Sequence, residues 1–283
     1  MTQQTLAEAM AVKPSEDGTL TARLTRDFSN APLAMDPDRG APFGGLMAAL
    51  AARAAREGMG IAPPLQTLTV QYLAAARFED CAFRPMLLRG GRSVAFARVD
   101  AGQPDRPALS ALATFGRMSP SPEVKPLPAP VTPFADLDDT PVDPNLAPWF
   151  TRYIEHRFDG GPRLGGGNTI ADPTLRLWMR TTDHKPLDEL DLCFLLDGIF
   201  PSYMTVMPAP PVISASVDLR FDFIGPLTPE TSPEGWAVFQ FTVRDVGGGW
   251  ALDDGVAFSP SGAPLALARQ RRKLAPTRPA REG

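Results

Sequence analysis

Three polar residues in the second half of the chain, Asp197, Ser216 and Gln270, are the strongest candidates for chemistry. On a helix, the neighbours of Asp197 at three and four residues are Cys193, Phe194, Phe200 and Pro201. A carboxylate on an apolar helix face is unfavourable unless hydrogen-bonded, and burial raises its pKa toward the range useful for a general base. Alternatively, the helix is shorter and Asp197 caps a new turn before Gly198. The pattern leaves both interpretations open.

Ser216 and Gln270 lie on predicted strands, and each has an ordinary explanation. Alternation places Ser214, Ser216 and Asp218 on one face of their strand, and this face could be the solvated side of an antiparallel sheet. Gln270 is flanked by four basic residues, Arg269, Arg271, Arg272 and Lys273. Such a run is also typical of a surface strand with a basic end. Only the combination with Asp197 favours a functional role.

The elements that must position these residues occur twice. Residues 43–117 and 187–274 each run from a helix into four strand-like segments, which predicts a duplicated domain. In the first copy we predict a helix over 44–57 that stops at Gly58, and strands over 19–24, 65–73, 81–89, 93–101 and 108–117. In the second copy we predict a helix over 187–204 and strands over 149–158, 175–181, 212–224, 237–244, 250–258 and 264–274. Where the first copy has Ala113, the second has Gln270.

A proline-rich stretch separates the copies. Nine prolines fall between Pro120 and Pro148, so this stretch cannot donate backbone hydrogen bonds regularly and reads as an extended connector. We therefore predict a first unit over 1–118, a connector over 119–148, a second unit over 149–276 and a flexible tail over 277–283.

Composition excludes several classes of protein. The net charge of −4 and pI near 5.3 argue against a nucleic-acid or anionic-membrane partner. No apolar stretch approaches membrane-spanning length and the N-terminus lacks signal-peptide features, so we expect a cytoplasmic protein without a membrane span. Cys81 and Cys193 have no metal-type spacing and are expected to be reduced, packed thiols.

The order of four runs resembles the acyl-CoA thioesterase II family of double hot-dog proteins: Leu175–Arg180, Leu192–Gly198, Ala215–Asp218 and Ala266–Gln270. The first copy resembles it at Phe43-Gly44-Gly45 and at Gly91-Arg92-Ser93. The resemblance implies an α+β fold, in which two tandem antiparallel sheets each wrap around a central helix. It also implies hydrolysis of an acyl-CoA thioester, with Asp197, Ser216 and Gln270 orienting the attacking water. We expect no cofactor and no metal, and a homodimer because homo-oligomers are common.

Other parts of a substrate site follow from this hypothesis. Gly44 and Gly45 could present backbone N–H groups to the thioester oxygen, although Gly-Gly before a helix could equally permit tight packing. Arg92, Arg269 and Arg271 are candidates for contacts with the CoA phosphates.

Two departures from the family keep a second hypothesis open. The family often carries a His-rich strand ending in Arg-Pro-Gly where this chain has residues 66–76, and Ser216 replaces the commoner Thr. The alternative is a non-catalytic double hot-dog that binds acyl-CoA or another partner. Neither His156 nor His184 lies on a predicted central helix, which disfavours hydroxyacyl dehydration. The absence of a Gly-x-Ser-x-Gly elbow disfavours an acyl-serine route.

Overall fold

The computed structural model describes residues 4–120, 129, 131–139, 141–159, 173–206, 213–225 and 227–275. Within these residues the strands form a single antiparallel sheet of 12 strands. The first six are β1 Lys13–Pro14, β2 Leu20–Arg23, β3 Leu65–Tyr72, β4 Asp80–Gly90, β5 Val94–Gln103 and β6 Arg106–Gly116. The remaining six are β7 Ile154–Phe158, β8 Thr174–Thr181, β9 Ile213–Phe223, β10 Ala237–Gly247, β11 Trp250–Phe258 and β12 Pro264–Ala275.

The sheet has the symmetry of a duplicated unit. Its strand order is β1-β2-β4-β5-β6-β3-β9-β12-β11-β10-β8-β7, so the second half mirrors the first about the boundary between β3 and β9. At that boundary the two strands pair antiparallel from Thr67↔Asp222 to Gln71↔Asp218. The two units therefore join edge to edge, which covers the sheet edge that each would otherwise expose. This confirms the predicted double hot-dog fold.

Each unit packs its sheet around a helix. A short helix, α1 Leu6–Ala9, precedes β1, and the central helices are α2 Gly44–Met59 and α3 Glu189–Leu195. The central part of α2 is rich in alanine and almost wholly buried, because small side chains let the helix approach the curved sheet closely. Helix α2 ends at Gly60, whose φ of 60° is readily adopted only by glycine. The predicted stop at Gly58 was therefore two residues early.

Two predicted elements of the second unit differ more. Helix α3 spans seven residues instead of the predicted 187–204, and a separate 3₁₀ turn follows at Ser202–Thr205. The break is consistent with Gly198 and with Pro201, which disfavours helical backbone at the residue before it. The predicted strand over 149–158 begins as a 3₁₀ helix, Trp149–Tyr153, and only Ile154–Phe158 pairs with β8.

The connector lies partly outside the described residues, which omit 121–128, 130 and 140, and the predicted tail over 277–283 lies wholly outside them. The described part of the connector contains a short 3₁₀ turn, Phe134–Asp136, and a bridge between Pro148 and Pro32 of the first unit. The predicted domain limits stay a prediction.

Two expectations about the whole molecule can be compared with the described residues. No helix among them is long and apolar enough to cross a membrane. Cys81 and Cys193 are buried free thiols, and burial raises the pKa of Cys81 to about 11. Such thiols pack as small apolar groups and are poor nucleophiles.

Candidate active site

Asp197 lies two residues beyond the end of α3 and is 6 % exposed. The prediction that it occupies a helix face is wrong, and the alternative of a shorter helix is right about length. Asp197 does not cap the turn that follows it, because Pro201 occupies the N-cap position of that turn. Its carboxylate instead points across the interface between the units, where Gln270, Arg272 and the start of α2 surround it.

The structure brings the three predicted polar residues together. The Gln270 amide nitrogen donates to Asp197 Oδ1 at 3.0 Å and to Ser216 Oγ at 2.7 Å. Gln270 is 5 % exposed on the inner face of β12, and Ser216 is half-buried on the neighbouring strand β9. Asp197, Ser216 and Gln270 thus form one connected group, although they are separated by up to 73 residues.

A bulge in the sheet shapes this group. The pairing of β9 with β12 slips by one residue, so that Arg271 pairs with Asp218 but Arg272 pairs with Ser216. Because a slip of one residue reverses the alternation of side chains, Asp218 faces outward, whereas Ser216 faces inward. The prediction that Asp218 shares a face with Ser216 is therefore wrong.

Arg272 completes the group. Its Nη2 lies 3.2 Å from Asp197 Oδ1 and also donates to Gln270 Oε1, and its Nη1 lies 3.3 Å from Ser216 Oγ. Its Nε faces Asp253 Oδ2 at 3.3 Å. Arg272 is only 9 % exposed, so its charge is compensated by two buried carboxylates and not by solvent.

Opposing effects set the protonation of Asp197. Burial raises the pKa of Asp197 above its ordinary value, because a charged carboxylate is unfavourable away from water. The charge of Arg272 opposes this rise, as do hydrogen bonds from Gln270, Arg272 and the Gly45 backbone N–H. The net direction is upward, which suits a carboxylate that must accept a proton.

The N-terminus of α2 faces the same carboxylate. Phe43 is its N-cap residue and its side chain makes no capping hydrogen bond, so the first-turn N–H groups face an anion instead. The Gly45 N–H already donates to Asp197, which leaves Gly44 as the candidate donor to a substrate oxygen. A Cβ on Gly44 would lie 2.8 Å from Asp197 Oδ2, so the missing side chain makes room for the carboxylate. Tyr72 borders the same space and donates its hydroxyl to the Gly44 carbonyl at 2.8 Å.

A cavity of about 540 Å³ opens onto these residues. Gly44, Tyr72, Asp197, Ser216 and Arg272 line it, together with mostly apolar side chains. Gln270 is not among its lining residues and lies behind Asp197 and Ser216. The volume falls within the range of about 300–1,000 Å³ that is usual for small-molecule sites.

The altered stretch 66–76 contributes to this cavity. Its last part, Tyr72 to Ala76, lines the wall with one hydroxyl and otherwise apolar side chains. This side of the cavity is therefore lined by a tyrosine, a leucine and three alanines and not by histidines.

The three arginines proposed to contact CoA do not line the cavity. Arg269 faces outward and pairs with Asp254, with Nε to Oδ1 at 2.7 Å. Arg271 also alternates away from Gln270, and Arg92 lies exposed in the hairpin between β4 and β5. A contact between any of them and CoA stays a prediction.

Sequence reasoning missed Arg272 and Tyr72. A signal for Arg272 was present, because period-two alternation puts residue 272 on the same face as Gln270 and puts Arg269 and Arg271 on the other. Because we interpreted the basic run as a solvated strand end, we did not apply this alternation to Arg272. For Tyr72 we find no comparable signal, since its position depends on how β3 meets α2.

No group of three or more histidine, cysteine, aspartate or glutamate side chains within the described residues is arranged to hold a metal ion.

The chain belongs to the acyl-CoA thioesterase family. Residues 31–116 match the family's acyl-CoA thioesterase N-terminal domain, and residues 128–271 match its C-terminal domain. No protein of curated function matches the chain significantly.

Solved structures share the whole fold. A conserved hot-dog protein of unknown function from Alicyclobacillus acidocaldarius is similar at 22 % identity and a TM-score of 0.82, covering 98 % of this chain and 100 % of that one. An acyl-CoA thioesterase II from Mycobacterium marinum is similar at 17 % identity and a TM-score of 0.71, covering 96 % and 98 %. At these identities the similarity establishes the double hot-dog fold.

Proposed function

We propose that this protein hydrolyses acyl-CoA thioesters to the free acid and CoA. Asp197 accepts a proton from a water molecule through Oδ2, and the water oxygen attacks the thioester carbonyl carbon. The carbon–sulfur bond then breaks, and the proton held by Asp197 is available to the departing thiolate. The products are a carboxylic acid and a thiol, so atoms and charge balance.

The two carboxylate oxygens of Asp197 have different surroundings, which supports its role as the proton acceptor. Oδ1 accepts hydrogen bonds from Gln270 and Arg272, whereas Oδ2 lies beside Gly44 at the cavity wall. One oxygen is thus held by Gln270 and Arg272, and the other lies where a side chain on Gly44 would stand, in a residue that lines the cavity. This is the observation that carries the proposal.

Helix α2 supplies the electrostatic partner for the reaction. The first N–H groups of a helix are free donors and carry partial positive charge, which stabilises the oxyanion that forms as water adds to the carbonyl. The backbone N–H of Gly44 is the candidate donor, because Gly44 lines the cavity without a side chain that would block it.

In this mechanism Gln270 positions its neighbours and does not bind the water through its amide hydrogens. An amide group has two hydrogens, and here one donates to Asp197 and the other to Ser216. The family resemblance implies that Gln270 helps to orient the attacking water. The geometry supports an indirect role instead.

The test is Asp197→Asn, which keeps the shape of the side chain but removes the proton acceptor. Hydrolysis of a series of acyl-CoA chain lengths, followed through the released thiol, should fall about 10²–10⁴-fold, the range usual for loss of a general base. Thermal unfolding of the same preparation should change little.

Asp218→Asn is the matched control, because it removes a carboxylate from the outward face of β9 and should leave turnover unchanged. An Asp197→Asn protein that hydrolyses acyl-CoA at the wild-type rate would contradict the mechanism. A wild-type protein that binds acyl-CoA but releases no thiol at any chain length would favour the non-catalytic alternative.

A further inference from the structure

Arg272 is the only residue of the group that can act solely as a donor, and this fixes the direction of every hydrogen bond around it. A guanidinium has no acceptor atom. Its contact with Gln270 Oε1 therefore orients the amide, so that Gln270 Nε2 must face Asp197 and Ser216. The orientation of Gln270 follows from Arg272 and not from Gln270 itself.

The same reasoning gives Ser216 a direction. Its Oγ accepts one hydrogen bond from Gln270 Nε2 at 2.7 Å and another from Arg272 Nη1 at 3.3 Å. A hydroxyl has two acceptor positions and one hydrogen. Because both acceptor positions are used and Ser216 lines the cavity, its hydrogen is left to donate into the cavity.

Arg272 is itself held from behind. Asp253 on β11 is 6 % exposed and pairs with the Arg272 Nε, while Ser202 donates its hydroxyl to Asp253 Oδ1. Asp253 is also directly opposite Gln270 in the ladder between β11 and β12. The Nε–Oδ2 contact is an ion pair without hydrogen-bond geometry, so Asp253 compensates the charge of Arg272 from behind the site, away from solvent.

On the basis of the proposed function, we propose that Arg272 is the positioning residue of this site. It fixes the orientation of the Gln270 amide, leaves the Ser216 hydroxyl to donate toward the substrate, and compensates the charge of Asp197. Ser216 would then donate to the thioester oxygen or to the water, and would not accept from the water.

Loss of Arg272 should change the pH dependence of the site. Among the described residues, the titratable and charged groups around Asp197 are Arg272 on β12, Asp253 on β11 behind it, Tyr72 on β3 and Tyr203 in the 3₁₀ turn. Arg272 is the cation among them, and its charge lowers the pKa of Asp197 against the effect of burial. Removing it raises this pKa, so the carboxylate is protonated, and inactive as a base, up to a higher pH.

The experiment compares Arg272→Met, Arg272→Lys and the control Lys273→Met. Lys273 is the next residue on β12, faces outward over the Trp250 ring, and carries the same charge. The acidic limb of kcat/KM should move up by about 1–3 pH units in Arg272→Met, the usual effect of losing a nearby opposite charge. It should move less in Arg272→Lys, which keeps the charge but lowers kcat because one ammonium cannot span all four partners. Lys273→Met should match the wild type.

Carbon-13 NMR of the aspartate carboxyls gives a readout that does not need turnover, with Asp197 assigned from its loss in Asp197→Asn. An upward shift of the Asp197 titration in Arg272→Met but not in Lys273→Met supports the proposal. Should Arg272→Met fail to fold, Arg272→Lys is titrated instead, and it should shift the Asp197 midpoint upward by a smaller amount, because the ammonium keeps the charge but loses guanidinium hydrogen bonds. An unshifted midpoint and an unchanged pH profile would overturn the positioning role. Absence of hydrolysis in the wild type would reject the proposed function alone, because the titration still reports whether Arg272 controls Asp197.

Discussion

The two central helices begin in opposite ways. At the first residue of α2, Gly44 leaves an open space in which the Asp197 carboxylate faces a cavity. At the first residue of α3, the side chain of Glu189 fills the corresponding space. Glu189 Oε1 accepts from the Leu65 N–H at 2.8 Å, and its other oxygen pairs with Arg56 of α2.

The sheet beneath each helix start shows the same contrast. Both units carry a one-residue bulge where the strand at the sheet centre meets its neighbour, and the pair beside the bulge is Leu65 with Phe115 in the first unit and Ser216 with Arg272 in the second. Arg56 lies over the Phe115 ring at 5.2 Å. Equivalent bulges therefore lie beside a filled position, with the Glu189–Arg56 ion pair, in one unit and beside an open polar position in the other.

The difference shows that the duplicated fold supplies the position and that a few side chains decide its use. The open position has a glycine at the helix start and a serine–arginine pair beside the bulge. The filled position has a glutamate and a leucine–phenylalanine pair instead. Substitutions at the open position and at the filled position both test this comparison.

The largest effect after that of Asp197 is expected from closing the open position. In Gly44→Ala the new Cβ would lie 2.8 Å from Asp197 Oδ2 and 3.4 Å from the Tyr72 hydroxyl, so the carboxylate must move. Displacements of this size reduce turnover by about 10²-fold. Acyl-CoA hydrolysis and thermal unfolding should be measured on the same preparation. Full activity in a folded Gly44→Ala protein would show that the opening at α2 is not needed.

A smaller effect is expected from removing Gln270, which holds Asp197, or Ser216, which is hydrogen-bonded to Gln270. Ser216→Ala and Gln270→Ala each delete hydrogen bonds worth about 1.5–3 kcal/mol where a charged group takes part, which corresponds to roughly 10- to 100-fold in turnover. Combined with Asp197→Asn, neither should lower turnover much further, because all three would serve one reaction step. Ser216→Thr keeps the hydroxyl and is the control with near wild-type turnover. Fully additive losses would separate these residues from Asp197.

The smallest effect on activity is expected at the filled position. Glu189→Ala removes an ion pair and the hydrogen bond to the Leu65 N–H, and should lower the free energy of unfolding by about 1–3 kcal/mol, a range discounted for partial exposure of the pair. Glu189→Gln keeps an acceptor for Leu65 and should lose less. Turnover per folded molecule should stay at the wild-type level in both, and a loss of turnover would mean that the two positions are coupled.

Sequence patterns predicted the elements well where burial alternates regularly. The strand over 250–258 has the predicted bounds, and most other strand ends differ by one to three residues. The early end of α3 was harder to predict, because apolar residues continue past Leu195 to Phe200, interrupted only by Asp197 and Gly198 before Pro201. The bulge at Val217 was not visible either, since period two cannot register an extra residue. Because of this slip, the predicted face of Asp218 was wrong.

For the site, the three polar residues came from a family resemblance together with their mismatch to apolar surroundings. Arg272 was set aside because a run of basic residues is usually solvated, and its burial depends on Asp253, which is 19 residues away in sequence and opposite Gln270 in the sheet. Partners brought together by strand pairing are not readable from local patterns.

The pairing of β3 with β9 has a consequence for how such a chain can change. The candidate site draws its glycine and tyrosine from the first unit and its aspartate, serine, glutamine and arginine from the second. A symmetric pair of identical single units would carry two equivalent sites, and any substitution would alter both. When both units belong to one polypeptide, one site can lose its function and be filled by side chains while the other is retained. The first unit is then free to evolve as a scaffold, but it can never be dispensed with, because half of the retained pocket is built from it.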